Sequence, residues 1–254
     1  MERITSRSNP LVAHLRKLLK DRGYRREQGE FICDGFKLLD EAMRWEARIR
    51  TVVVSEGQSI DLPEHCRRVE VSESLMASLS PMKSPSGVLF TCAIPAWKPP
   101  EELEGRTWLA LDGVQDPGNV GTIWRSASAF GADGLFLTGG SADPFGWKAV
   151  RSSMGAVFRL PVWERSEEEL VQFCRSTGTE LWGTALRDDA QDLRTMGEQP
   201  CVLAIGSEGR GLSPLLLKEC DRTVIIPMEF GCESLNAAMA ATVALWERYR
   251  GKTD

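Results

Sequence analysis

Histidine is scarce in this 254-residue chain, in which only His14 and His65 occur. Neither residue lies in a constellation of Cys, Asp or Glu side chains with the spacing that metal ligands use. Neither stands in a pattern that favours a Ser-His-Asp triad. The sequence therefore predicts no metal site and no triad hydrolase.

Long apolar runs and paired cysteines are also missing. No stretch approaches the roughly 18 apolar residues that a membrane span needs, and no secretory hydrophobic region opens the chain. The seven cysteines include no CxxC pair, and their number is odd. Scattered, unpaired cysteines are typical of reduced thiols, so we expect a cytoplasmic protein. Because no apolar run is long enough, we expect no membrane partner.

An excess of positive charge is missing as well. The formal net charge is −5, so no global basic field points to a nucleic-acid partner. The charge is uneven, however, because residues 1–30 carry eight basic and four acidic side chains. Such a segment either binds phosphate or forms the solvated face of a helix, and the second explanation is the commoner one.

Proline and glutamate cluster between residues 95 and 104, a composition typical of an exposed linker. We therefore predict a small α/β domain over residues 1–95, a linker over 96–105 and a second domain over 106–254. In the first domain Leu11, Leu15 and Leu18 have helical spacing, which predicts an amphipathic basic helix. Short strands are predicted at 31–33, 51–54 and 87–90, and a further helix at 36–45.

Strands and helices alternate in the second domain, and this alternation predicts a mostly parallel sheet covered by helices. The predicted strands are 108–112, 135–138, 180–184, 201–205 and 223–226. The predicted helices are 120–130, about 144–154, 167–176, 213–220 and 235–249.

A glycine-bearing loop follows one of these strands. It reads Gly206-Ser207-Glu208-Gly209-Arg210-Gly211, and residues 225–236 add a second strand end and the start of a helix. Backbone amides in glycine turns can approach a ligand closely, and open α/β sheets bind ligands at the carboxyl ends of their strands. By shape alone, a ligand site and two tight turns are equally good interpretations.

The first helix of the second domain carries another motif, Asp116-Pro117-Gly118-Asn119 followed by Gly121 and Arg125. The apolar residues Val120, Ile123, Trp124 and Ala127 have helical spacing and should face the sheet, so Arg125 should point away from it. Taken alone, Asn119 is best interpreted as the helix N-cap and Arg125 as a solvated arginine.

Together these blocks resemble the three signature motifs of the SpoU-type RNA ribose 2′-O-methyltransferases. The motifs occur in order over about the last 150 residues, at Asn119 with Arg125, at 206–212, and at 226–228 with 234–236. The N-terminal half resembles the small RNA-binding domain of that family, through the segments 31–35 and 84–88.

The resemblance implies a C-terminal α/β domain tied in a trefoil knot, and a homodimer whose active site is completed across the interface. It implies S-adenosylmethionine as the cofactor, held against backbone groups of Thr184, Gly206, Ile226 and Leu235. It places Arg125 near the ribose hydroxyl, aided by the phosphate of the substrate. The other residues implied in catalysis are Asn119, Glu208, Ser234 and Asn236.

Physical chemistry limits these roles. A guanidinium is a very weak acid and rarely gives up its proton, so Arg125 is better suited to bind phosphate and orient the hydroxyl. Ser234 can alternatively cap the last helix, whose expected core stripe is Leu235, Met239, Thr242 and Trp246. Glu208 can alternatively be a solvated turn residue.

The chain departs from the family pattern at two places. Ala237-Ala238-Met239 stands where a valine-serine-valine run is common, which can alter helix packing. Asp34 stands where glutamate is usual, which weakens the N-terminal assignment.

Two other functions fit the sequence less well. A nicotinamide-dependent enzyme is disfavoured because the glycine order is G-x-x-G-x-G and lies outside the first strand-helix unit. A catalytically silent RNA-binding protein is disfavoured by the presence of Arg125, Asn119, Glu208 and Asn236. We expect the substrate to be ribosomal RNA, and transfer RNA is the alternative.

Overall fold

The computed structural model describes residues 2–58, 60–62, 66–98, 100, 107–197, 199–231 and 234–250. They form two compact units, the first made of Met1–Ala96 with Phe145–Phe158 and the second of Trp97–Pro144 with Arg159–Asp254. His65 and most of the predicted linker lie outside the described residues. In the described part of the chain, no helix combines the length and the apolar character that crossing a membrane requires.

The helices are α1 (Pro10–Lys20), α2 (Arg22–Gln28), α3 (Phe36–Arg44), α4 (Glu73–Leu79), α5 (Pro117–Ala129), α6 (Trp147–Ser153), α7 (Glu167–Thr177), α8 (Pro214–Glu219) and α9 (Ala237–Arg250). The strands are β1 (Glu2–Ile4), β2 (Glu30–Asp34), β3 (Ile49–Ser55), β4 (Arg67–Val71), β5 (Val88–Ala93), β6 (Thr107–Asp112), β7 (Gly134–Thr138), β8 (Val162–Glu164), β9 (Glu180–Thr184), β10 (Gln191–Asp192), β11 (Cys201–Gly206) and β12 (Arg222–Ile225).

The first unit contains a mixed five-stranded sheet in the order β1-β4-β3-β5-β2. Strands β1, β3 and β4 are parallel, and β5 runs antiparallel to β3 and β2. The predicted leucine stripe of α1 is buried against this sheet. Helix α2, which was not predicted, begins at once because the Asp21 carboxylate accepts a hydrogen bond from the Tyr24 amide at 3.0 Å.

The segment around α6 also packs within the first unit. The ring of Phe31 lies 5.3 Å from that of Phe145 and 6.3 Å from that of Phe158, centre to centre. Gly155 has a φ of +89°, and a Cβ there would lie 2.8 Å from Glu41. A segment from the middle of the chain therefore completes the aromatic core of the N-terminal unit.

The second unit contains a seven-stranded sheet in the order β10-β12-β9-β11-β6-β7-β8. Every pair in it is parallel, which confirms the predicted class of sheet. Strand β9 has the predicted bounds. The edge strands β8 and β10 were not predicted, since three and two residues are too few to show a periodic pattern.

The predicted core stripe of the last helix is wrong. Met239 and Trp246 are 64% and 51% exposed, and the buried face of α9 consists mainly of alanines (Ala237, Ala238, Ala241 and Ala244). Because alanine side chains are short, α9 can lie close against α5, and the hydroxyls of Ser126 and Thr242 meet at 2.8 Å. Met239, Val243 and Trp246 therefore point outward, whereas Leu245 is buried with the alanines.

Candidate active site

Strand β11 ends in a tight turn that leaves no room for a side chain at its first glycine. Ser207 and Gly211 pair across the turn, with N–O distances of 3.0 and 2.9 Å between their backbones. A Cβ on Gly206 would lie 2.1 Å from the carbonyl carbon of Gly211. Gly211 itself has a φ of +67°, a conformation that favours glycine. The two outer glycines are therefore needed for the turn to close, and its tip consists of Glu208, Gly209 and Arg210.

A cavity of about 440 Å³ opens beside this turn, at the carboxyl ends of β9, β11 and β12. The four residues that the sequence predicts as cofactor contacts all line it: Thr184, Gly206, Ile226 and Leu235. Apolar side chains, among them Ile205, Leu212, Leu217 and Val224, form much of its wall. Glu208 and Ser234 border the same space.

A network of amides and one carboxylate joins three segments that are far apart in sequence. Asn119 of α5 donates a hydrogen bond from its side-chain amide to Oε1 of Glu208. Asn236 donates to the same oxygen and to Oδ1 of Asn119, at 3.2 Å each. Three of the five predicted catalytic residues are therefore in direct contact, and Glu208 is held in place from both sides.

The helix caps differ from the predicted ones. Asp116, not Asn119, caps α5, because its carboxylate accepts from the amides of Gly118 at 2.6 Å and Asn119 at 3.3 Å. This leaves the Asn119 side chain available for Glu208. Asn236, not Ser234, caps α9, with Oδ1 accepting from the Ala238 amide at 3.0 Å. Asn236 thus uses its oxygen for the helix and its NH₂ group for the network.

Arg125 lies on the exposed face of α5, whereas Ile123 and Trp124 are buried, as the spacing predicts. It does not line the cavity. Within the described residues the Arg125 side chain makes no hydrogen bond or ion pair. The structure therefore brings Asn119, Glu208 and Asn236 together and leaves the Arg125 side chain without a partner among the described residues.

One important residue was missed in the sequence. Asp112 is buried at the end of β6, where one carboxylate oxygen accepts from the Thr138 hydroxyl at 2.9 Å and the other from the Ser213 amide at 2.7 Å. Ser213 follows Leu212, the residue directly after the glycine turn. The hydrogen bond to the Asp112 carboxylate therefore holds the C-terminal end of that turn in place. The signal in the sequence was a carboxylate at the last position of an apolar strand.

The parallel sheet, the glycine turn and the cavity define an α/β domain with a ligand site at the carboxyl ends of its strands. Residues 106–246 match the SpoU rRNA Methylase family, and the chain belongs to this family. Residues 9–89 match the MRM3-like substrate binding domain.

Two relatives with assigned activities are similar over nearly the whole chain. The 23S rRNA (guanosine(2553)-2'-O)-methyltransferase RlmP of Bacillus subtilis (strain 168) is 30% identical over 248 residues, covering 97% of this chain and 98% of the relative. The 23S rRNA (uridine(2479)-2'-O)-methyltransferase of Streptomyces viridochromogenes is 34% identical over 268 residues, covering 98% and 92%.

Solved structures agree with these matches. The AdoMet-bound rRNA methyltransferase from Sinorhizobium meliloti superposes with a TM-score of 0.88 at 31% identity, covering 100% of this chain and 99% of that one. The SpoU methyltransferase AviRb from Streptomyces viridochromogenes, in complex with AdoMet, has a TM-score of 0.84 at 30% identity, covering 96% and 98%. The predicted family, α/β fold class and enzyme class are confirmed.

Proposed function

We propose that this protein transfers a methyl group from S-adenosylmethionine to a ribose 2′-hydroxyl of ribosomal RNA. The observation that carries the proposal is the arrangement around the glycine turn. The cavity on one side of Glu208 is lined by all four predicted cofactor residues, and the Asn119–Glu208–Asn236 network meets the same carboxylate. The rRNA methyltransferases that resemble the chain over more than nine tenths of their length support the same conclusion.

The cavity fits S-adenosylmethionine in size and in chemistry. Its volume of about 440 Å³ lies within the range of small-molecule and cofactor sites. Gly206 lines the cavity and has no side chain, so its backbone can lie close to a ligand. Bound in this cavity, S-adenosylmethionine supplies an electrophilic methyl group on a sulfonium, and related structures at about 30% identity were solved with AdoMet.

The residues of the network position the reacting groups. Glu208 accepts hydrogen bonds from two neutral amides, so its carboxylate is oriented without a paired cation. Ser234 borders the cavity and offers a neutral hydroxyl to a ribose, whereas the amide of Asn236 holds Asn119 and Glu208 in place. In-line positioning of a hydroxyl and a methyl carbon can contribute several kcal/mol to lowering the barrier.

Arg125 is proposed to bind the substrate phosphate and orient the 2′-hydroxyl. Its guanidinium is exposed and makes no hydrogen bond or ion pair with the residues that the structure describes, so its donors are available to RNA. A planar guanidinium with its donors in a fixed fork is suited to phosphate and is a poor base.

The methyl acceptor is tested directly with the purified protein. We expect isothermal titration calorimetry to show binding of S-adenosylmethionine, and tritiated methyl groups to enter 23S rRNA transcribed in vitro. Resistance of the product to alkaline cleavage at one nucleotide would identify 2′-O-methylation. Tritium in transfer RNA alone would favour the alternative substrate. A protein that binds RNA, but transfers no tritiated methyl group and gives no calorimetric signal with S-adenosylmethionine, would be a catalytically silent RNA-binding protein.

A homodimer is the second part of the proposal. Met239, Val243 and Trp246 follow each other along one face of α9 and are 64%, 41% and 51% exposed. The Trp246 ring also packs against Phe130 of the neighbouring chain segment after α5, at 5.7 Å between centres. An apolar stripe of this kind, next to an arginine that does not line the cavity of its own chain, supports an interface that carries Arg125 to the cavity of a second copy.

Changing Trp246 to glutamate should convert the dimer to monomer, because it buries a charge in an apolar interface. Sedimentation velocity at micromolar concentration measures the mass. Trp45→Glu is the matched control, since Trp45 is 45% exposed and belongs to the first unit. A wild-type monomer, or a Trp246→Glu protein that keeps the wild-type mass, would contradict the interface.

The finer parts of the sequence prediction stay proposals. They are the trefoil knot, the boundaries at 95 and 106, and the role of the N-terminal domain in RNA binding, which the match over residues 9–89 supports. A cytoplasmic location is supported by six free cysteines in the described chain and by relatives named for 23S rRNA.

A further inference from the structure

Phe230 is a fully exposed aromatic residue beside the cavity. Its exposed fraction is 107%, the highest among the exposed large apolar residues. It lies between Met228 and Ser234, both of which line the cavity. Gly231, with a φ of +90°, follows it directly and turns the chain. A fully exposed aromatic side chain, two positions after a residue that lines a ligand cavity, is available to a partner that arrives at the cavity.

A cation borders the same cavity from the opposite segment. Arg210 is exposed at the tip of the glycine turn and lines the cavity. In the part of the chain that the structure describes, its guanidinium has no hydrogen-bond or ion-pair partner. Arg187, which also lines the cavity, is by contrast paired with Asp189 at 2.8 Å. The two segments that border the cavity therefore carry an exposed aromatic ring, Phe230, and an uncommitted guanidinium, Arg210.

We propose that Phe230 stacks on a base of the RNA substrate at the mouth of the cavity, while Arg210 contacts a neighbouring phosphate. The inference rests on the proposed function, because the acceptor ribose must reach the methyl donor through this mouth. Unpaired bases are recognised by stacking on aromatic side chains, and a guanidinium beside the ring matches the phosphate backbone. RNA is favoured over a second protein chain because Phe230 is not part of the exposed apolar stripe of α9 at 239, 243 and 246, and because the cavity that its segment borders is also lined by the exposed cation Arg210.

The role of Phe230 is that of a positioning residue, since it acts on the base and not on the reacting atoms. A base held at the rim restricts the orientation of its own ribose or of the adjacent one. Stacking depends on a flat π face, so tryptophan should replace phenylalanine and an aliphatic side chain should not.

The test compares four variants for transfer of labelled methyl to 23S rRNA transcribed in vitro. Phe230→Ala and Phe230→Leu should lower kcat/KM for RNA about 5- to 100-fold, and Phe230→Trp should keep it within about threefold of wild type. The dissociation constant of S-adenosylmethionine should stay unchanged in all of them. Glu229→Ala shortens the adjacent exposed side chain, and it should leave kcat/KM within about twofold.

A separate filter-binding titration across salt concentrations tests Arg210. Arg210→Gln should weaken RNA binding. It should also lower the magnitude of the slope of log binding constant against log salt concentration by roughly 0.7 to 0.9, which is the contribution of one phosphate contact. An unchanged slope would overturn the phosphate contact.

The outcomes separate this inference from the proposed function. A wild-type protein that transfers no methyl group refutes the function itself, whereas an active wild type with an unaffected Phe230→Ala variant refutes only the stacking. Full activity of Phe230→Leu would overturn stacking in favour of simple apolar contact. A lower sedimentation mass for Phe230→Ala would overturn it in favour of contact with a second copy of the chain.

Discussion

Replacing Arg125 with alanine is expected to lower kcat for methyl transfer by about 1000-fold, with the dissociation constant of S-adenosylmethionine nearly unchanged. The reason is structural. Arg125 is exposed on α5, does not line the cavity and makes no hydrogen bond or ion pair with the residues that the structure describes. Removal of the Arg125 side chain therefore takes away no contact that holds the fold or the cofactor. The rate of methyl transfer falls because the substrate is no longer oriented.

Single-turnover kinetics and calorimetry measure the two quantities separately. Lys218→Ala is the control, because it removes another exposed cation of the second unit whose nearest carboxylate, Glu219, is 3.9 Å away. Arg125→Lys should recover only part of the rate, since an ammonium lacks the planar pair of donors. A parallel loss of cofactor binding and rate in Arg125→Ala would instead assign Arg125 a structural role.

Replacing Gly206 with alanine is expected to raise the dissociation constant of S-adenosylmethionine by about 100-fold or more, and to remove methyl transfer with it. A methyl group at this position would lie 2.1 Å from the carbonyl carbon of Gly211 and 2.4 Å from the amide nitrogen of Leu212. Both are backbone atoms, so the clash cannot be relieved by turning a side chain. The turn must open, and the cavity wall formed by 206–212 opens with it.

The neighbouring Gly209 provides the matched control. Apart from its chain neighbours, no atom lies within 4 Å of a Cβ placed on Gly209, so Gly209→Ala should leave the turn closed and raise the dissociation constant far less than Gly206→Ala does. Thermal melting of both variants distinguishes a local opening of the turn from general unfolding. Normal cofactor affinity in a folded Gly206→Ala protein would show that S-adenosylmethionine binds elsewhere.

Local patterns sufficed for most of the second unit. Strand β9 and the helix that carries Val120 and Trp124 are set by periodicity and by turn residues, which act over a few positions. The same reasoning failed on α9, where the large apolar residues were assigned to the core. A helix with alanines on one face and larger apolar residues on the other does not reveal from spacing which face is buried, because the answer depends on what packs against it.

The site was predictable as a set of residues and not as a geometry. Asn119 and Glu208 are separated by 89 positions, and Asn236 lies 117 positions from Asn119. No periodic pattern links them, so only the family motifs could place them together. The caps show the same limit, since Asp116 and Asn119 are both good capping residues and spacing alone does not reveal that the helix begins at Pro117, which makes Asp116 the cap.

The packing of Phe145 and Phe158 on Phe31 has a consequence for the covalent path of the chain. The backbone passes from one unit to the other three times, after Ala96, after Pro144 and after Phe158. No single cut can therefore release either unit intact. A fragment that starts at Trp97 would carry two phenylalanines whose aromatic partner stays behind, and a fragment that ends at Ala96 would leave Phe31 uncovered. The substrate-binding and methylase sequences are consecutive on the gene, but they are interleaved in the folded protein.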